Sequence, residues 1–157
     1  ADAVAYNGMT PAQKAELVGI HYGGQWGARV YKNKISFTCD IGAAPVEQAI
    51  NGGPAVSILY PTGYSRETFL AHAQLSNGNV IEFGCKNKQP YQQASAKFDQ
   101  VFKRLYKSAN MVVGLGLDGS LYSVNNGTST LLTNPYNGQI HDLAPNQFFG
   151  FFDGVKK

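Results

Sequence analysis

The stretch Thr68-Phe69-Leu70-Ala71-His72-Ala73-Gln74-Leu75-Ser76-Asn77-Gly78-Asn79-Val80-Ile81-Glu82-Phe83-Gly84-Cys85 decides the reading of the fold. Two apolar-rich runs flank Ser-Asn-Gly-Asn, the turn chemistry of a β-hairpin. Two loop lengths fit. A two-residue loop pairs Leu75 with Val80 and mixes Glu82 among apolar neighbours. A three-residue loop with Gly78 pairs Leu75 with Ile81 and Ala73 with Phe83. It gathers Phe69, Ala71, Ala73, Leu75, Ile81 and Phe83 on one face and leaves His72, Gln74 and Glu82 on the other. A one-residue slip swaps the faces, so burial favours the three-residue loop.

Working outward, Met111 to Leu117, Asp118-Gly119 and Ser120 to Val124 form a second hairpin signature. Asn125-Asn126-Gly127 turns the chain again, and Thr130 to Thr133 reads as a short strand. Upstream, Ala28 to Tyr31 and Ile35 to Cys39 read as two strands around Lys32-Asn33-Lys34. Helices are expected in three places. Thr10 is an N-cap followed by Pro11, with Gln13 as its capping-box partner, and Gly23-Gly24 ends that helix. Pro45 to Ile50 begins as a helix begins, and Asn51-Gly52-Gly53-Pro54 stops it. Phe98, Val101, Phe102 and Leu105 have helical spacing. The polar residues 86–97 suit a surface loop. Phe148, Phe149, Phe151 and Phe152 are expected to dock on the core. No internal repeat or linker stands out.

The bulk numbers agree with one domain over 1–157, long enough to bury a core. Eighteen glycines and eighteen Phe plus Tyr residues suit an α+β or all-β fold better than a helical bundle. The net charge of +3 permits only weak attraction to a polyanion. No apolar run is long enough to span a membrane. Cys39 and Cys85 are the two cysteines, with no CxxC and no Cys/His cluster, so no metal and no cofactor is expected. They are either two buried thiols or one disulfide, which is the expected state; its loop of roughly 46 residues contributes about 4 kcal/mol. The chain opens at Ala1 without a charged-then-apolar leader, so either a signal peptide has been removed, as in the secreted chain expected here, or the sequence begins partway along a longer one. Asn126-Gly127-Thr128 is a glycosylation sequon, which arises often by chance.

His21, His72 and His141 fall in no metal-binding spacing, and Gly114-Leu115-Gly116 lacks the third glycine of a dinucleotide loop. One constellation is more specific. Tyr60-Pro61-Thr62-Gly63-Tyr64 is followed by Val80-Ile81-Glu82-Phe83, then Asn110-Met111-Val112-Val113, then Val124-Asn125-Asn126-Gly127. This order resembles the fungal guanyl-preferring ribonucleases over about residues 36–127. The resemblance implies an α+β fold: a central twisted antiparallel sheet packed against one main helix, with an extra N-terminal helix and a C-terminal extension. In that family a carboxylate takes the 2′-hydroxyl proton, a histidine protonates the leaving oxygen, and an arginine and a second histidine stabilise the phosphate. Here Glu82 fits the carboxylate. Thr62, Met111 and Asn125 stand where the pattern has histidine, arginine and histidine.

The site so implied is vestigial, and no catalytic residue is expected. The chain is then similar to the inactive ribonuclease-like secreted effectors of plant-pathogenic fungi of the powdery mildew type. That resemblance implies a monomer in the apoplast or host cell. It would bind a host protein, an immune receptor or, weakly, RNA through Tyr60, Thr62, Tyr64, His72, Glu82 and Asn125. Lys86, Lys88, Lys103, Arg104 and Lys107 would add weak phosphate attraction. Two alternatives stand beside it: an active secreted endoribonuclease using Glu82 and His72, and a secreted β-rich module that binds sugar or protein.

Overall fold

The computed structural model describes residues 6–22, 27–40, 42–50, 52–59, 68–108, 111–132, 140–143 and 154–156. It holds three four-stranded antiparallel sheets, each a simple meander of consecutive strands. The first contains β1 (Leu17–Tyr22), β2 (Gly27–Tyr31), β3 (Lys34–Thr38) and β4 (Val46–Ala49). The second contains β5 (Ala55–Leu59), β6 (Phe69–Leu75), β7 (Val80–Lys86) and β8 (Gln89–Ser95). The third contains β9 (Phe102–Ser108), β10 (Met111–Gly116), β11 (Leu121–Asn125) and β12 (Thr128–Leu131). β13 (Ile140–Leu143) and β14 (Gly154–Lys156) form a further pair.

The sheets stack so that the second is covered on both faces. On one side Phe69, Ala71, Ala73, Leu75, Ile81 and Phe83 pack against Ala28, Val30, Ile35 and Phe37 of the first sheet. The Phe37 and Phe83 rings lie 6.2 Å apart in this core. Cys39 and Cys85 are disulfide-bonded across the same seam, and Lys88 pairs with Asp40 at 3.3 Å nearby. The disulfide expected from sequence is therefore present, and it staples two sheets together. On the other side Leu59 packs with Phe102, Leu105 and Val124 of the third sheet.

Two hairpins are built alike. Asn77 Oδ1 accepts the Asn79 N–H at 2.9 Å, and Asp118 Oδ1 accepts the Ser120 N–H at 3.0 Å. Gly78 (φ 90°) and Gly119 (φ 84°) hold the left-handed position of each turn. The apolar face expected for the first hairpin is the buried one. The pairing itself is shifted by two residues, with Ala73 opposite Ile81 and Ala71 opposite Phe83. A two-residue shift preserves the faces.

The expected α+β class is not what the chain adopts. The structure is nearly all β, and α1 (Pro11–Glu16), with its Thr10 capping box, is a helix of only six residues. It ends at Glu16 because Leu17 already starts β1. No main helix packs on a sheet among the described residues, and the ribonuclease-like scaffold is overturned with it. The Phe98–Leu105 segment contains β9 instead. A register irregularity opposite Leu115 and Gly116 brings Phe102 and Leu105, three apart, into one apolar cluster. That bulge imitates helical spacing. Val46–Ala49 is an edge strand because β3 offers it a complete ladder, from Lys34 opposite Ala49 to Phe37 opposite Val46.

The expected loop 86–97 is mostly β8. Its turn residues Asn87 (φ 49°) and Lys88 (φ 65°) have the positive φ values of a tight hairpin. β8 is polar because it is the outer edge of its sheet. The segment 148–152 lies outside the described residues. The repeat missed in the sequence is one of topology rather than of side chains.

Candidate binding groove

The connection from β8 to β9, residues 96–101, runs between the second and third sheets. Phe98 N–H donates to the Gly78 carbonyl at 3.3 Å, and Asp99 N–H donates to the Gly127 carbonyl at 2.9 Å. Asp99 in turn accepts from the Ser129 N–H and hydroxyl at 2.9 and 2.7 Å, which holds its carboxyl below the ordinary range. Gln74, fully buried, ties the seam: its Nε2 donates to the Gln100 carbonyl at 2.7 Å and its Oε1 accepts from the Phe102 N–H at 2.8 Å. Two covered sheets cannot leave these backbone groups to water, so a side-chain amide supplies both partners.

Beside this seam lies a groove of about 400 Å³, within the size range of small-molecule sites. Leu59, Leu70 and His72 line it from the second sheet, Phe98 from the connection, and Lys107, Val112 and Val124 from the third. His72 Nε2 lies 3.1 Å from Glu82 Oε2 on the neighbouring strand, directly opposite in register. Burial lowers the His72 pKa from its ordinary value. The Glu82 carboxylate opposes that shift, and Lys107 adds to it. Burial wins, so the ring is neutral at neutral pH and donates its Nε2–H to Glu82.

Of the residues expected to line a site, His72 and Glu82 are brought together. His72 lines the groove opposite Lys107, Val112 and Val124 of the third sheet, because the second sheet is the middle layer. Asn125 is exposed at the end of β11, opposite Thr128. Met111 pairs with Ser108 on β10. Tyr60, Thr62 and Tyr64 lie outside the described residues. The basic residues fall in different places: Lys86 stands over the Tyr91 ring, Lys88 pairs with Asp40, Lys103 and Arg104 lie exposed on β9, and Lys107 lines the groove. Phe98 and Gln74 belong to the seam, and sequence reading assigned neither a role there. Gln74 sits on a polar-looking face, and nothing local marks that face as covered.

Three stacked meanders of this kind have a counterpart among solved structures. The chain is similar to the WD40 domain of SCAP from fission yeast, with a TM-score of 0.50 and 13% identity, over 77% of this chain and 32% of that one. The fold resembles β-propeller blades. Each sheet then corresponds to one blade, and the groove lies between two of them. At this identity the likeness concerns the fold alone, and the chain spans about a third of the length of that structure. No protein-family model and no curated protein matches the sequence. The single tryptophan, Trp26, is followed by Gly27, so the Trp-Asp pair of WD40 repeats does not occur. Among the described residues, no group of three or more His, Cys, Asp or Glu side chains is placed to hold a metal, and no helix is long and apolar enough to cross a membrane.

Proposed function

We propose that this chain is a secreted, non-catalytic binding module that recognises its ligand in the groove between the second and third blades. The observation that carries the reading is the groove itself: apolar residues of two sheets and the seam, with Thr68, His72, Ser95, Lys107 and Asn126 adding polar groups to its lining. The disulfide supports an oxidising compartment. The effector role implied by the ribonuclease likeness draws no support from a propeller-type fold.

The His72–Glu82 pair does not favour an endoribonuclease. An acid and a base that cleave RNA flank the phosphate, whereas these two are bonded to each other at 3.1 Å. A protein partner is a second reading, favoured by Leu117 and Leu131, which are 74% and 59% exposed on the third blade.

Isotope-labelled protein titrated with small acids, amines, sugars and short peptides tests the reading. Saturable amide shifts clustered at Leu70, His72, Val112 and Val124 support it. Shifts elsewhere, or none, overturn it. RNA turnover that disappears in His72→Ala would replace it with the enzyme reading.

A further inference from the structure

We infer that the groove is specific for an organic monocarboxylate with an apolar body, a medium-length acyl chain or a single aromatic ring, whose carboxylate pairs with Lys107. The inference rests on the groove being the recognition site, and it names the ligand class.

Three features lead to it. Lys107 lies half-buried on β9 and borders the groove together with Val112, its neighbour across the ladder, and Val124. Among the described residues its ammonium has no ion pair or hydrogen bond. A cation held against apolar walls lacks both full hydration and a counter-ion, and an incoming anion restores the second. Glu82 accepts from His72 across the β6–β7 ladder and forms no ion pair with Lys107.

The remaining walls select the rest of the ligand. Leu70, Phe98, Val112 and Val124 present aliphatic and aromatic surface, and Thr68, Ser95 and Asn126 border the same groove with hydroxyl and amide groups. An uncharged sugar would leave the Lys107 ammonium without a counter-ion, and a multiply charged phosphate would meet only that one cation among the lining residues. A single carboxylate on an apolar body matches both the charge and the surface. Three residues from three separate segments, Leu70, Phe98 and Val112, would hold the body while Lys107 fixes its orientation.

The probes are octanoate, octylamine and octanol, which share one chain and differ in the head group. Amide shifts of Leu70, His72, Val112 and Val124 report binding to the disulfide-bonded protein. Octanoate is expected to bind at least about tenfold more tightly than either analogue, the change one charge-assisted hydrogen bond supplies. Lys107→Met is expected to remove that preference while octanol still binds, which shows the groove intact, and Lys107→Arg is expected to retain it. Equal binding of the three probes, or an unchanged preference in Lys107→Met, overturns the carboxylate assignment and leaves the groove reading standing. No binding by any probe overturns both.

Discussion

The side-chain oxygen of Gln74 accepts the backbone N–H of Phe102 at 2.8 Å, so a residue of the second blade completes the first backbone position of the third. The same amide donates to Gln100. Replacing Gln74 by Leu keeps the volume but leaves a donor and an acceptor unpaired in a dry seam. The expected loss is about 2–3 kcal/mol in urea unfolding. Gln93→Leu, on the exposed edge strand of the same sheet, is expected to stay within about 0.5 kcal/mol. Equal losses would show that the seam does not depend on this amide.

The disulfide joins the first two blades across a sequence separation of 46. The double variant Cys39→Ala/Cys85→Ala is expected to lose about 4 kcal/mol, because the unfolded chain regains the freedom of that loop. Equilibrium unfolding of oxidised and reduced protein gives the same comparison without mutation. A difference below about 1 kcal/mol would contradict it.

Gly127 has φ 83°, and a Cβ placed there meets the Lys97 carbonyl oxygen of the connection that fills the seam. Gly42 has φ 75° but open space around it. Gly42→Ala should cost only the left-handed backbone penalty, about 1 kcal/mol. Gly127→Ala adds displacement of the connection and should cost at least about 2 kcal/mol. Thermal midpoints of the two variants separate the contributions, and equal midpoints would place the connection elsewhere.

His72 carries a pH dependence whose sign follows from burial. Its folded pKa lies below the ordinary value of 6.5, so the folded state takes up a proton less readily than the unfolded chain. Its contribution is complete above the unfolded value and is lost as pH falls from there toward the lowered folded one. The urea midpoint should therefore fall between pH 7.5 and 5.5, and His72→Gln should flatten that part of the profile. A steeper fall in the variant would reverse the assignment and make the Glu82 attraction dominant over burial.

Local chemistry made much of the strand content legible. The Asn77-Gly78 and Asp118-Gly119 turns, the Thr10 capping box and the alternation from Phe69 to Leu75 each rest on a few neighbouring residues. Where local signals misled, a tertiary contact had replaced the local one. The bulge in β9 lets Phe102 and Leu105 share a face, so the spacing resembled a helix. Asn87-Lys88 makes a tight turn without the glycine that advertises one. The partial ribonuclease pattern gave Glu82 a place in a vestigial site, whereas the structure pairs it with His72 beside a groove between two sheets.

The sequence alone determined the two hairpins, the buried face of the first and the pair of cysteines, because each follows from adjacent backbone geometry or from residue identity. The tertiary structure alone decided that the sheets stack as blades and that His72 and Lys107 line a groove between two of them. A strand's own pattern records which side is apolar. It does not record whether a polar side meets water or another sheet, and that depends on segments about thirty residues away, as from Gln74 to Phe102.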